Sequence, residues 1–246
     1  MASLSTIKHK LTNDGYVIIN DFYGQSDEDK HNKLLSFCEQ FGTPIPHNSQ
    51  PDSIIWHIKA NDESYSYKTF SSHSAEAELH TDSAFSNNPE DMFVLYVLKS
   101  ARCGGGISTL LHIDTILAHI HALPNGQEIE QTLKEPVFPF AVPSVFKRLP
   151  DEQFEYCFGA ILYDQNIRFR SDSIRQCLKF NPKFLNAKQY QAFNAVNEII
   201  SDPNNYQHLH LNDNDLIIID NKRILHGRTA FTDKERHVLR VRLSKN

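Results

Sequence analysis

Many short segments of this chain alternate apolar and polar residues with the two-residue period of β-strands. Other segments of similar length are continuous apolar runs, which are typical of buried strands. The predicted strands are YVIIN from Tyr16, Ser53–Ile58, MFVLYVLK from Met92, CGGGISTLLHI after its glycine turn, IRFR from Ile167, and the C-terminal runs HLHL, LIIID, ILHGR and RHVLRVRL. Helical periodicity predicts helices over Thr6–Asn13, residues 27–41 and residues 187–200, and Asp114 is expected to cap one more. This pattern predicts a mainly β fold with peripheral helices (α+β) around a double-sheet jelly roll.

Nothing in the sequence divides the chain. It has no internal repeat and no Pro/Gly-rich linker, so residues 1–246 are expected to form a single domain. A polar stretch over residues 61–78 is predicted to be a mobile loop.

Composition narrows the class of partner. Lys and Arg number 25 against 30 Asp and Glu, and this net charge of −5 without a basic cluster argues against nucleic acid. No apolar run approaches the roughly 18 residues of a membrane span, and the N-terminus lacks an apolar signal segment. The four cysteines form no CxxC pair. We therefore expect a cytoplasmic protein that acts on a small molecule, and the sequence does not indicate an oligomeric state.

The tripeptide His80-Thr81-Asp82 is the first candidate for chemistry. Residues two apart on a strand share a face, so an imidazole and a carboxylate there can converge on one ion. Two histidines and one carboxylate form the facial triad of non-haem Fe(II) oxygenases. The sequence also contains His112-Ile113-Asp114, where Asp114 is better explained as a helix cap, and a His208/His210 pair without a suitable carboxylate.

The C-terminal segment offers a third ligand and several cations. His226 follows the strand LIIID, and Arg236, Arg240 and Arg242 share one face of the last predicted strand. These arginines either face solvent or turn into a barrel, and spacing does not decide between the two. Arg suits a dicarboxylate cosubstrate because its planar fork binds a carboxylate in a bidentate manner.

Five segments, in order, carry a resemblance to a known family: HTDSAF, CGGGIST, DLIIIDN, LHGRTAF and RHVLR. They resemble the TauD/TfdA (taurine dioxygenase and clavaminate-synthase-like) family of Fe(II)- and 2-oxoglutarate-dependent oxygenases. The resemblance implies that the jelly roll is a cupin-like double-stranded β-helix. The resemblance implies that iron is bound by His80, Asp82 and His226. It implies that Arg236 pairs with the distal carboxylate of 2-oxoglutarate, helped by Ser108 or Thr109. It further places Arg240 near the iron-side carboxylate or the substrate, Phe85 in the pocket wall, and Arg228 in a substrate-binding or structural role.

The implied reaction hydroxylates or desaturates a small polar substrate, with Fe(II) as cofactor, 2-oxoglutarate and O₂ consumed, and succinate and CO₂ released. A carboxylate-bearing molecule such as an amino acid, free or tethered to a carrier, is the expected substrate. Leu79 stands where some relatives have Trp, so taurine itself is not implied. A zinc-dependent hydrolase or a non-catalytic cupin-like binding protein are the alternative classes.

Overall fold

A computed structural model describes residues 2–23, 26–46, 53–60, 73–146 and 153–245. Within these ranges the helices are α1 (Leu4–Asp14), α2 (Asp27–Cys38), α3 (Ile113–His121), α4 (Gly126–Leu133), α5 (Ser171–Phe180) and α6 (Ala187–Ser201). The strands there are β1 (Tyr16–Ile19), β2 (Thr43–Ile45), β3 (Trp56–Lys59), β4 (Ala77–His80), β5 (Met92–Lys99), β6 (Ser108–His112), β7 (Phe138–Ala141), β8 (Tyr156–Gly159), β9 (Leu162–Tyr163), β10 (Asn166–Ile167), β11 (Gln207–Leu209), β12 (Leu216–Asp220), β13 (Ile224–Arg228) and β14 (His237–Ser244).

Two antiparallel sheets form the centre of the fold. The larger sheet has the order β1-β12-β5-β14-β2, with β3 also paired to β14, and the smaller sheet has the order β11-β6-β13-β4. A buried apolar cluster joins the sheets face to face, because it contains Phe93 and Ile217 from the first sheet and Leu110 and Ile224 from the second. The predicted mainly β fold with a jelly-roll core and peripheral helices is confirmed.

The helices cover the outer faces of both sheets. Leu239 and Val241 of β14 pack in one cluster with Ile7 and Leu11 of α1 and Leu34 of α2. The outer face of the smaller sheet lies in a second cluster, shared with helices α3, α4, α5 and α6. Alternation along each strand therefore sends one set of side chains to the helices and the other into the space between the sheets.

Several element boundaries differ from the sequence prediction. Helix α1 spans Leu4–Asp14 and is capped by Gly15, whose φ of +74° is the left-handed conformation that glycine adopts at low cost. Helix α2 ends at Cys38 rather than residue 41, and the strand predicted at Ser53–Ile58 occupies Trp56–Lys59. Residues 61–72 of the predicted loop lie outside the described residues.

The predicted cap at Asp114 is wrong. Helix α3 begins at Ile113, and the side chain of His112 caps it by accepting a hydrogen bond from the backbone N–H of Asp114 at 3.1 Å. Asp114 lies instead in the first turn, where a carboxylate favours the helix dipole. None of the helices in the described ranges combines the length and the apolar character needed to cross a bilayer.

Candidate metal and cosubstrate site

His80 and His226 meet because the strands that carry them are paired in register. Strand β13 pairs with β4 so that His226 lies directly opposite His80, and the two ring centroids are 4.3 Å apart. Cross-strand partners project to the same face of a sheet. That face is the one turned towards the larger sheet, since Phe93 of β5 lies 4.5 Å from the His226 ring.

Asp82 completes a group of three potential ligands. Its carboxylate oxygens lie 3.6 Å from Nε2 of His80 and 3.4 Å from Nε2 of His226. In the part of the chain that the structure describes, these three residues are the only His, Cys, Asp or Glu group of three or more whose ligand atoms all lie within 4.8 Å of one another. Two imidazoles and one carboxylate in this arrangement fit Fe(II) as a facial triad.

The protonation of these groups suits metal binding. The Nδ1–H of His80 donates to the backbone carbonyl of Glu78 at 2.7 Å, which leaves the lone pair on Nε2 for an ion. Burial holds the pKa of His226 well below its usual value, so the ring is neutral. Burial by itself would raise the pKa of Asp82, but the charge of Arg240 and contacts with both histidines outweigh it and hold that pKa well below the usual range.

Asn221 and Arg240 hold Asp82 in place. The Asn221 side chain accepts from the Asp82 backbone N–H at 2.8 Å and donates to the carbonyls of Asp82 and Glu90 at 3.2 and 2.9 Å. Arg240 donates to the Asp82 carboxylate and, at 3.0 Å, to the carboxylate of Glu90. Glu90 also lies 3.8 Å from Arg242. Asp82 thus belongs to a buried network of two carboxylates and two guanidinium groups.

The arginines of β14 point into the barrel, which decides between the two alternatives that spacing left open. Arg240 pairs with Leu95 and Arg242 with Phe93 across the β14–β5 ladder, and both of those partners belong to the cluster between the sheets. The alternate side chains, such as Leu239, lie under the helices.

Arg236 lies just before β14 and is also buried. Its guanidinium is 5.2 Å from the Phe231 ring, and the Arg228 guanidinium lies 4.6 Å from the same ring. Burial and the charge of Arg228 lower the pKa of Arg236 to about 10, so it stays protonated at neutral pH. Among the described residues, the Arg236 side chain has no hydrogen-bond or ion-pair partner, whereas Arg228 donates to the backbone carbonyls of His73 and Ala75. A buried cation without an anion is a place for a carboxylate.

Strand register separates the two hydroxyl candidates. Ser108 pairs with Arg228 across the β6–β13 ladder, so the two side chains project to the same face. His226 precedes Arg228 by two residues on β13 and shares this inner face. Thr109 pairs with Gly227 and projects to the outer face; a Cβ added at Gly227 would lie 2.7 Å from its hydroxyl oxygen.

Phe85, a candidate for the pocket wall, and the remaining candidate histidines lie outside the triad. Phe85 stacks on Phe146 with centroids 5.3 Å apart and packs against the apolar cluster under the smaller sheet. His112 is a helix cap, and His208 and His210 are exposed. The preference for His80-Asp82 over the second HxD tripeptide therefore agrees with the geometry.

Sequence reasoning missed Glu90 and the role of Asn221. Glu90 precedes β5 with no periodicity to mark it as buried, although it is only 3% exposed. Asn221 directly follows a strand of five buried residues, and a polar residue at such a strand end is a detectable sign of a site.

A jelly roll that holds two histidines and a carboxylate between its sheets, beside buried arginines, defines the class of non-haem iron oxygenases. The chain matches the taurine catabolism dioxygenase TauD, TfdA family over residues 2–242, and it belongs to this family. The expectation of an Fe(II)- and 2-oxoglutarate-dependent oxygenase is thereby confirmed at the level of the family.

Asparagine oxygenase and the non-haem iron oxygenase OrfP are among the solved structures with a similar fold. Asparagine oxygenase in complex with Fe(II), 2S,3S-3-hydroxyasparagine and succinate superposes with a TM-score of 0.76 at 15% identity, covering 98% of this chain and 78% of that one. The non-haem iron oxygenase OrfP with Fe and alpha-ketoglutaric acid gives 0.71 at 19% identity, covering 97% and 78%. OrfP with Fe, succinate and (3R,4R)-dihydroxy-L-Arg gives 0.72 at 18% identity, covering 98% and 80%. The comparison with curated protein sequences gave no match.

Proposed function

We propose that this protein, as a single domain of residues 1–246, hydroxylates a small polar substrate that bears a carboxylate, such as an amino acid. The observation that carries the proposal is the His80, Asp82 and His226 triad, whose ligand atoms converge within 4.8 Å. Asparagine oxygenase and OrfP, which share the fold, are described with hydroxylated amino acids bound, and this supports an amino acid as the substrate.

The chain's own residues would hold and orient the iron. Fe(II), when bound with 2-oxoglutarate and O₂, supplies the oxidising power of the reaction and leaves succinate and CO₂ as the coproducts. Asp82 and the two histidines would be the ligands of the iron. The Glu78 carbonyl fixes the orientation of the His80 ring, and Asn221 fixes the Asp82 backbone. Partners of this kind, one shell away from a metal, orient its ligands.

Arg236 would bind the distal carboxylate of 2-oxoglutarate, because it is a buried guanidinium with no anion among the described residues. We assign the supporting hydroxyl to Ser108 rather than Thr109, since Ser108 lies on the inner face of β6. Gly106 gives the Arg236 side chain room, as a Cβ there would lie 3.2 Å from its Nε.

Arg240, Arg228 and Phe85 would have different roles around the substrate. Arg240 contacts Asp82 and would face the iron-side carboxylate or the substrate. Arg228 serves mainly to brace the segment at residues 73–75 through its contacts with carbonyl oxygens. Phe85 follows Asp82 closely and would form part of the pocket wall.

We also propose a cytoplasmic location, because all four cysteines are free thiols and such thiols persist in a reducing compartment. Immunoblotting of cytosolic and exported fractions from the native cell tests this proposal. A small molecule, rather than nucleic acid, remains the proposed partner.

The test of the function measures succinate. The purified protein is supplied with Fe(II), ascorbate and 2-oxoglutarate, with and without a panel of amino acids, and the anaerobic metal-to-ligand charge-transfer band is recorded. We expect His80→Ala to abolish the band and the succinate, and His112→Ala to retain both. Absence of succinate and of the band in the wild type would contradict the proposal, and the opposite behaviour of the two variants would contradict the site.

A further inference from the structure

Arg170 lies beside the metal ligands although nothing in the sequence connects it with them. The backbone N–H of Thr81 donates to the carbonyl of Phe169 at 2.7 Å, and the N–H of Phe169 donates to Oγ1 of Thr81 at 3.0 Å. Arg168 donates to the carbonyl of Ala84. Residues 168–170 therefore run antiparallel to residues 80–84, which places Arg170 at the His80 end.

The Arg170 side chain leaves the backbone on the metal side. Phe169 and Leu79 both lie in the apolar cluster on the outer face of the smaller sheet. Their neighbours Arg170 and His80 must then project to the opposite face, because successive residues of extended backbone alternate. Burial is the main cause of the low pKa of His226, and the positive charge of Arg170 adds to it.

The Arg170 guanidinium already binds a carboxylate. Its Nε donates to Oδ1 of Asp172 at 3.0 Å and its Nη2 donates to Oδ2 at 3.2 Å, the two-pronged geometry that arginine offers to planar acids. The Arg170 side chain is only 15% exposed, whereas that of Asp172 is 45% exposed. Asp172 can therefore turn into solvent at small cost, while the guanidinium stays in place.

The other arginines near the triad are already engaged by groups that cannot move away so easily. Arg240 is held by the carboxylates of Asp82 and Glu90, and Glu90 is buried. Arg168 is held by a backbone carbonyl and by the Cys157 sulfur, and it lies 4.4 Å from the Phe140 ring. Among the described arginines on this side, Arg170 pairs with a carboxylate that is nearly half exposed and can therefore be exchanged.

We infer that Arg170 binds a carboxylate of the primary substrate, and that Asp172 occupies the guanidinium until the substrate replaces it. The inference rests on the proposed function and makes Arg170 a determinant of substrate specificity. The carboxylate is either the α-carboxylate of a free amino acid or the acid of its side chain. An amino acid tethered to a carrier through its α-carboxylate could reach Arg170 only with an acidic side chain.

The first experiment compares Arg170→Gln with the matched control Arg175→Gln. Arg175 lies on helix α5, whose N-cap residue is Arg170; it carries the same charge and pairs with exposed Glu78 at 3.6 Å. We expect Arg170→Gln to raise the substrate KM roughly 10- to 100-fold, the effect of losing a charged hydrogen-bonded pair, with a smaller change in kcat. Arg175→Gln should change KM by less than about twofold. Substrate titration of the anaerobic charge-transfer band gives the same comparison as a Kd without turnover.

Asp172→Asn separates substrate binding from a purely structural ion pair. It removes the competing carboxylate, so we expect substrate to bind at least as tightly as in the wild type. Equal weakening by Asp172→Asn and Arg170→Gln would show that the pair only supports the fold, and would overturn the inference.

Substrate analogues identify the carboxylate. We compare the preferred amino acid with its α-carboxamide and with its side-chain amide. If the α-carboxamide binds to the wild type as weakly as the parent amino acid binds to Arg170→Gln, then Arg170 binds the α-carboxylate. If the side-chain amide shows this weakening instead, then Arg170 binds the side-chain carboxylate. Wild-type protein that produces succinate while Arg170→Gln and Arg175→Gln behave alike would overturn this inference and leave the proposed function intact. A wild type that never produces succinate would overturn both.

Discussion

Glu90→Gln is the substitution for which the structure gives the sharpest expectation. Glu90 is 3% exposed, accepts from Arg240 at 3.0 Å and lies 3.8 Å from Arg242. Glutamine has the same shape and lacks the charge. The side chains of Arg240 and Arg242 are 15% and 8% exposed, so little water can replace the lost carboxylate.

The magnitude follows from the burial of this network. Removing one partner of a buried ion pair costs about 3–5 kcal/mol when the remaining charge is left alone. Arg240 keeps Asp82 and glutamine keeps an acceptor oxygen, so we expect a loss of about 2–3 kcal/mol, below that range. For a chain of this size each kcal/mol lowers Tm by roughly 2–4 °C, which gives a decrease of about 4–12 °C.

Thermal unfolding of the metal-free protein, followed by circular dichroism, measures this decrease. The matched control is Glu235→Gln, which removes the same charge from an ion pair with Lys99 whose side chains are 44% and 69% exposed. Exposed pairs contribute little, so the control should stay within about 2 °C of the wild type. Equal Tm values for the two variants would refute the view that Glu90 is the charge partner of the arginines of β14.

Three further expectations concern the cosubstrate loop, a thiol and the Asp82 support. Gly106→Ala and Gly104→Ala both force alanine into left-handed backbone, at φ +72° and +80°, but only the alanine at 106 would meet other side chains. We expect both variants to lose a similar amount of Tm, and Gly106→Ala alone to bind 2-oxoglutarate with a roughly tenfold weaker Kd, measured by titration of the charge-transfer band. Equal Kd values for the two variants would contradict this expectation. Backbone hydrogen bonds from Thr232 and Gly105 lower the pKa of Cys103 to about 7, while burial raises the pKa of Cys38 to about 12. Alkylation followed by mass spectrometry should therefore modify Cys103 first, at a rate that levels off above about pH 8. A rate of Cys103 alkylation that still rises at pH 9 would contradict this expectation. Asn221→Ala removes three buried hydrogen bonds and should cost about 2–4 kcal/mol in urea unfolding and weaken Mn(II) binding; an unchanged metal Kd would show that Asn221 supports only the fold.

Local pattern was sufficient for the elements whose burial is uniform or strictly alternating. Strand β5 was predicted with its observed bounds, and β12 is a run of five buried residues. The candidate triad could also be predicted from sequence, because an HxD tripeptide and a downstream histidine are local features. The assumption that both residues of the tripeptide lie on a strand is wrong, since β4 ends at His80 and Asp82 lies in the turn that follows. That His80 and His226 stand opposite each other depends on the β4–β13 register, which no local pattern specifies.

Other features are set by tertiary contacts. Helices α4 and α5 are only 8 and 10 residues long, and helices this short depend on tertiary packing for their stability. Histidine is an uncommon helix cap, so the sequence favours Asp114 although His112 is the residue that caps α3. The burial of Glu90 and the position of Arg170 arise only when distant segments are brought together, and the sequence on either side of them gives no indication of it.

The network around Asp82 also makes the two cofactors depend on each other. Two carboxylates, of Asp82 and Glu90, balance two guanidinium groups, of Arg240 and Arg242, so the protein offers a divalent cation no surplus negative charge. Fe²⁺ alone would add two positive charges to a buried region that already holds the cation of Arg236, and the 2-oxoglutarate dianion would offset two of these three charges. Binding of metal and of cosubstrate should therefore be thermodynamically linked, each increasing the affinity for the other by the same factor.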